Sequence, residues 1–290
     1  LDSVQATAFI NDLISILELV DQHFVALPVV SQSNLRQGEV GDAAVRRPAG
    51  KNSGWTLMLT VEGGGTFNCV RQSYASSPGD LVLLAPGALY DYRRTDDQPV
   101  WRHFWIYCNL SPAVVNSLNW QELGPYIYQL HLRPQDNLVV QEIFQQLFDL
   151  DPSEKELPTA LRNNLVEQIF LRSLQWAEDA SGHVINAHVK QAMNYIEQKL
   201  YDSIAVEDIA EAAGLSKARL SALFKNSLGR SMLSWRDERR MAQACQMLMN
   251  RAVKIHTVAQ ALGYDDALYF SRKFRQVVGK SPQAYRRKRL

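Results

Sequence analysis

The chain has 290 residues, 46% of them apolar and 21% charged, with three cysteines and a formal net charge of +1. That composition excludes a collagen-like, low-complexity or disulfide-stapled chain, and the length suits two domains better than one. The small net charge hides an asymmetry: residues 183–290 hold 19 Lys/Arg against 9 Asp/Glu, and residues 1–182 hold 12 against 21, so the C-terminal part is expected to meet nucleic acid.

Residues 1–27 predict an amphipathic helix through Phe9, Ile10, Leu13, Leu17 and Val20, either a packing element or a partner-binding helix. Asp12 and Glu18 interrupt its apolar run and no basic segment precedes it, so neither a signal peptide nor a membrane span is expected. Cys69, Cys108 and Cys245 have no paired spacing, which suits a reducing compartment and a cytoplasmic protein. Pro28–Gly50 is Gly-rich and polar and reads as a loop-rich arm, so that residues 1–45 form an N-terminal helix and arm ahead of the first domain.

From Trp55 the pattern becomes alternating. Trp55, Leu57, Leu59 and Val61 share one face, Gly63-Gly64-Gly65 turns the chain, and Ser77-Pro78-Gly79-Asp80 and Pro86-Gly87 bracket the apolar run Leu81–Ala85. Short strands with Gly/Pro turns predict a small all-β barrel or sandwich. Trp101, His103, Trp105 and Tyr107 then alternate with Arg102, Phe104, Ile106 and Cys108, so one strand face carries three aromatic rings and a histidine. That face is either core or the lining of a pocket for a polar, ring-shaped ligand, whose C–H groups pack on aromatic faces while polar side chains hold its hydroxyls.

Residues 138–176 predict two helices separated by Asp149-Leu150-Asp151-Pro152. On the second, Leu157, Leu161, Asn164, Gln168 and Leu171 recur at three- and four-residue steps, a narrow seam suited to antiparallel pairing with a second copy, in which Asn164 would fix register. The competing reading packs this seam on the chain's own barrel. Together these elements make residues 46–178 one domain, and residues 179–187, with Ser181-Gly182 and little periodicity, read as a linker.

Residues 188–290 contain one supersecondary unit written twice. Ile209, Ala210 and Ala213 lead through Gly214-Leu215-Ser216 to Leu220, Leu223, Phe224 and Gly229; Val258, Ala259 and Leu262 lead through Gly263-Tyr264-Asp265 to Tyr269, Phe270, Phe274 and Gly279. Each copy reads as a helix-turn-helix, over 206–227 and 255–278, in which a second helix enters the DNA major groove. Met232–Asn250 lacks Gly and Pro and predicts a connecting helix of roughly 28 Å, enough to hold two recognition helices near one DNA turn, about 34 Å, apart.

If Leu220, Leu223 and Phe224 face inward, Lys217, Ala218, Ser221, Ala222 and Lys225 face outward, and their counterparts are Ala267, Leu268, Ser271, Arg272 and Arg275, with Asp266 at the helix start. Arg272 is the candidate for a bidentate contact to guanine, Ala218 and Ala222 offer methyl contacts, and Lys225 and Arg275 are phosphate anchors. The alternative for each is a solvated helix face. Arg286-Arg287-Lys288-Arg289 reads as a nonspecific phosphate contact or a disordered tail.

This tandem arrangement, with Leu233-Ser234-Trp235-Arg236 and Gly263-Tyr264-Asp265-Asp266, resembles the DNA-binding domain of the AraC family of bacterial transcription regulators, and the strand order before it resembles that family's cupin-like sensor domain. The resemblance implies a two-domain fold: an N-terminal all-β cupin-like barrel with a helical dimerisation hairpin, then an all-α domain with two helix-turn-helix motifs. It implies as ligand contacts Arg47 of Arg47-Pro48, Tyr92 after Pro86-Gly87, and His103 and Trp105 of Trp101-Arg102-His103-Phe104-Trp105, with Tyr90 standing where the family pattern has a histidine.

The function so implied is a homodimeric regulator that binds double-stranded operator DNA and a small sugar effector, L-arabinose or a relative, and acts with RNA polymerase on genes for arabinose uptake and catabolism. The alternative is a family member responding to a different sugar or small effector. An enzyme is not expected. Among six histidines none forms a His-x-His pair near the first strands, and no Walker A, nucleophile-elbow or zinc-finger spacing occurs, so neither metal nor cofactor is anticipated. A DNA-binding protein without an effector would leave the aromatic-lined barrel unexplained.

Overall fold

The computed structural model describes residues 28–39, 42, 44–46, 54–70, 72–89, 91–150, 157–181 and 185–288. The helix expected over residues 1–27, and the candidate residues Arg47 and Tyr90, lie outside them. The chain divides into two compact units, residues 1–182 and 183–290.

Among its described residues the first unit has ten strands: β1 (Val29–Arg36), β2 (Val45–Arg46), β3 (Trp55–Gly63), β4 (Gly65–Asn68), β5 (Ser73–Ser76), β6 (Asp80–Leu84), β7 (Asp91–Arg94), β8 (Val100–Cys108), β9 (Gln121–Gly124) and β10 (Ile127–His131). A short helix α1 (Pro112–Ser117) precedes β9, and α2 (Pro134–Asp149) and α3 (Leu157–Ser181) follow β10. The strands form a six-stranded sheet in the order β1-β8-β3-β6-β10-β9 and a four-stranded sheet in the order β2-β7-β4-β5.

Alternation along the strands gives the large sheet two different buried faces. Leu57, Leu59, Leu81, Leu83 and Ile106 pack against Val140, Ile143, Phe144 and Leu147 of α2 and Leu165, Ile169 and Phe170 of α3. Met58, Val82, Leu84 and Trp101, on the other face, pack against Phe67 and Tyr92 of the small sheet. One sheet thus separates a helix-covered core from a barrel interior.

Three features depart from the sequence reading. The stretch read as a loop-rich arm contains the eight-residue strand β1, paired along its length with β8. Its composition, VVSQSNLR, hides it, because among the described residues only one edge is paired and Gln32, Asn34 and Arg36 are exposed. The hairpin β9–β10, with Tyr126 at φ 67 in its turn, lies in a stretch for which no element was expected. Helix α3 runs on to Ser181, into the stretch read as linker, and the next helix begins at Ala187 with Asn186 as N-cap accepting from the His188 N–H at 2.9 Å.

The described residues of the second unit form helices and no strand: α4 (Ala187–Gln198), α5 (Val206–Ala212), α6 (Lys217–Leu228), α7 (Met232–Leu248), α8 (Ile255–Ala261), α9 (Ala267–Val278) and α10 (Pro282–Lys288). Val189, Ala192 and Ile196 of α4 pack with Ile209, Ala210, Leu220, Phe224 and Trp235 in one core. No helix among the described residues is long and apolar enough to cross a membrane.

Trp101 fixes the barrel interior. Its indole N–H donates to Thr60 Oγ1 at 3.2 Å, Thr60 hydrogen-bonds Ser76 at 3.0 Å, and a Cβ added to Gly65 would stand 2.3 Å from the indole ring. Gly65→Ala is therefore expected to overpack this site and destabilise the first unit by about 1–3 kcal/mol, read as a lower denaturation midpoint with the helical unit's transition unchanged.

Candidate effector site and nucleic-acid interface

Directly opposed residues of an antiparallel pair point to the same face. On β8, Trp101, His103 and Trp105 stand opposite Leu35, Ser33 and Ser31 of β1, and on the other side His103 and Trp105 stand opposite Thr60 and Met58 of β3. Tyr92 joins the same interior from β7, where it pairs with Val45 and Phe67. The structure thus brings Tyr92, His103 and Trp105 into one cluster, around Trp101: Tyr92 meets Trp101 edge-on with ring centroids 5.9 Å apart, and His103 stacks on Trp101 at 4.1 Å.

His103 is 2% exposed, and its Nδ1 has no hydrogen-bond partner among the described residues. Burial pushes its pKa down to about 3, so at neutral pH the imidazole is uncharged and offers one donor and one acceptor. Trp105 is half-buried and its indole N–H donates to Ser33 Oγ at 3.2 Å, which fixes the ring. Ser31 and Ser33 are polar groups of this interior that the sequence reading missed. They are visible only through the β1–β8 register, since β1 itself was not anticipated.

The rim of the small sheet is braced by Arg94, two residues beyond Tyr92 on β7. Its guanidinium donates to both carboxylate oxygens of Asp42, at 2.7 and 2.8 Å, and to the Thr95 carbonyl at 2.8 Å. That pairing holds the Asp42 carboxyl below its usual pKa and ties Asp42 to β7.

The helix seam has two sides. Leu165, Val166, Ile169 and Phe170 are buried toward the sheet, whereas Leu161 and Leu171 are 46% and 53% exposed. Asn164 is exposed and accepts from Gln168 Nε2 at 2.8 Å. Leu157 opens α3, with its side chain outside the described ones.

In the helical unit both turns carry a left-handed glycine, Gly214 at φ 66 and Gly263 at φ 74. At Gly263 an added Cβ would stand 2.0 Å from the Tyr201 carbonyl oxygen, so glycine is required twice over. Ser216 caps α6 by accepting from the Arg219 N–H at 3.4 Å, and Asp266 caps α9 by accepting from the Leu268 N–H at 2.7 Å. Lys217, Ala218, Ala222 and Lys225 are exposed on α6, as are Asp266, Leu268, Arg272 and Arg275 on and before α9, while Ser221, Ala267 and Ser271 are half-buried.

Besides the cap Asp266, Lys217 and Ser271 already have local partners. Lys217 binds Glu207 at 2.7 Å, and the Ser271 hydroxyl donates to the Ala267 carbonyl of its own helix at 2.8 Å. Arg219, Asn226, Tyr269 and Gln276 are also exposed on the same two helices. The sequence reading omitted them because it took the outward face as one narrow stripe, whereas only about half of each helix circumference is buried. Among the described residues no cluster of His, Cys, Asp and Glu could hold a metal ion.

A neutral buried histidine links stability to pH. The unfolded chain titrates this group near 6.5 and the folded one near 3, so between those values the unfolded state binds more protons and stability rises with pH. The melting temperature of the first unit is expected to climb from pH 4 to 6.5 and level above it, with His103→Gln reducing that slope in a thermal-melt series.

Comparison with known proteins bears on both halves. Residues 38–174 match the AraC-like ligand binding domain family and residues 209–288 a helix-turn-helix domain family. The chain is 33% identical over 248 residues to the arabinose operon regulatory protein of Salmonella typhimurium, covering 84% of this chain and 87% of that one. The corresponding Escherichia coli protein is 32% identical, with 84% of each chain covered. The lactose operon transcription activator of Staphylococcus xylosus is 24% identical over 79% of this chain and 82% of its own. These relatives are regulators rather than enzymes, and the chain belongs to the AraC family as a DNA-binding transcription regulator with a ligand-binding domain.

Proposed function

We propose that the barrel binds a small sugar, L-arabinose or a close relative, and that the chain, as a homodimer on operator DNA, controls genes of arabinose uptake and catabolism together with RNA polymerase. The observation that carries the sugar reading is the unpartnered Nδ1 of His103, buried in the barrel interior beside the half-buried face of Trp105. An unpaired buried polar group costs about 1–3 kcal/mol, and a sugar hydroxyl would remove that cost. A neutral imidazole suits an uncharged polyol better than an anion. In this reading His103, Tyr92 and Arg47 hold hydroxyls and Trp105 packs on the sugar's C–H face.

A second reading, a different sugar or small effector, is favoured by Tyr90, which stands where the family pattern has a histidine. The exposed leucines Leu161 and Leu171, with Asn164 and Gln168 between them, support pairing of α3 with a second copy, in keeping with the three- and four-residue spacing of the seam. On DNA, Lys217, Ala218, Ser221, Ala222 and Lys225 serve the first contact helix, and Asp266, Ala267, Leu268, Ser271, Arg272 and Arg275 the second.

Calorimetric titration over a panel of pentoses and hexoses tests the effector. Heat and a tryptophan fluorescence change without turnover are expected for L-arabinose or a relative, with Tyr92→Phe and Trp105→Ala each weakening binding about tenfold or more, equal to about 1.4 kcal/mol. Silence toward every sugar in the folded protein would contradict the reading. For DNA, Arg272→Ala is expected to relax specificity at one base pair by about 1–3 kcal/mol, while Lys225→Ala weakens all sequences alike and lowers the salt slope by about one; binding assays on matched and mismatched duplexes at several salt concentrations distinguish the two.

A further inference from the structure

Leu268 is 75% exposed and Tyr269 beside it 50%. A single exposed leucine is ordinary, but this one has an unusual setting. The inner side of α9 is closed by Phe270, Phe274 and Val277, all nearly fully buried, so the core does not need it. It sits in the first turn of the helix, where the Asp266 carboxylate grips its backbone N–H, and the N-terminal residues of a recognition helix are those that reach base edges.

Leu268 also shares its face with cations, in a unit whose 19 Lys/Arg outnumber its 9 Asp/Glu. Arg272 lies one turn on and Arg275 beyond it, both exposed. That charge favours a polyanion over an apolar protein surface as the occupant. A branched aliphatic side chain cannot hydrogen-bond a base edge, and the apolar group that base pairs present in the major groove is the thymine C5-methyl. Residues four apart on a helix have Cβ atoms about 5–6 Å apart, and successive bases on one strand rise about 3.4 Å, so Leu268 and Arg272 would reach positions one or two base pairs apart.

We propose that Leu268 is a specificity-determining residue that reads a thymine methyl group, one or two base pairs from the guanine contacted by Arg272. The inference rests on the reading of α9 as a DNA recognition helix. The fifty-residue offset puts Ala218 and Ala222 at the equivalent positions of α6. There alanine replaces both the leucine and the arginine, so a leucine with a guanidinium one turn further on is a feature of the second motif alone.

The test uses the full chain and duplexes selected from a random-sequence pool. Each thymine of the selected sequence is replaced in turn by deoxyuridine, which removes only the methyl group. One such replacement, within two base pairs of a guanine, is expected to weaken binding about fourfold. In Leu268→Ala that penalty disappears while the salt slope stays as it was, and Leu268→Gln moves the preference at that position toward adenine, which a glutamine can contact bidentately. Both variants change an exposed side chain, so folding is retained. A penalty that persists in Leu268→Ala, or no penalty at any thymine, overturns the proposal and leaves Leu268 to a protein partner. Failure to select any sequence overturns the recognition-helix reading beneath it as well.

Discussion

Arg236 and Arg240 of α7 reach across the helical unit to the carbonyl oxygens of Leu200 and Asp202, with Arg240 Nη2 at 2.9 Å from the latter. The same helix binds both helix-turn-helix motifs. Trp235 packs edge-on against Phe224 of α6, Arg239 pairs with Glu197 of α4 at 2.7 Å, and Asp237 pairs with Lys273 of α9 at 2.7 Å. The buried guanidiniums of Arg236, Arg239 and Arg240 need such partners, because a buried charge without one is strongly destabilising. Helix α7 therefore sets the mutual orientation of α6 and α9, an advantage for the DNA reading proposed above. A loosely hinged pair of motifs would lose this advantage, because each would pay its own ordering cost on DNA.

The first unit uses a different constraint, the two-residue period of its strands. One face of the large sheet is spent on the helices, and this leaves the second face free to be aromatic and polar without loss of a core. Trp101 is the hinge between the two demands: it is fully buried and hydrogen-bonded through Thr60, and it carries His103 on its ring. A histidine stacked there stays neutral. It can exchange hydrogen bonds with a hydroxyl but brings no charge that would recruit an anion.

Much of this was legible in the sequence, for reasons that differ by element. The doubled motif was readable because glycine turns and small inward residues recur at a fixed interval, and each has a conformational cause. The β8 face was readable because alternation of Trp101, His103 and Trp105 survives in any register. Strand β1 was not, since an edge strand with serines on its inner face has no hydrophobic period to detect, and Ser33 was lost with it. The buried arginines of α7 were equally hidden. Arg236 and Arg240 look like solvated surface until the carbonyls of a distant turn come into view. Composition places charge outside by default, and tertiary contacts overrule it.

If the barrel senses a sugar and the helical unit binds operator DNA, as proposed above, occupancy of the barrel and binding of DNA must be linked. The direct measurement is reciprocal titration of the full chain. The affinity for a selected duplex is measured with and without saturating sugar, and the affinity for the sugar with and without saturating duplex. Linkage requires both affinities to change by the same factor, commonly about 5- to 150-fold in allosteric proteins. Equal factors different from one are the predicted result. Two independent affinities, each untouched by the other ligand, would contradict the account.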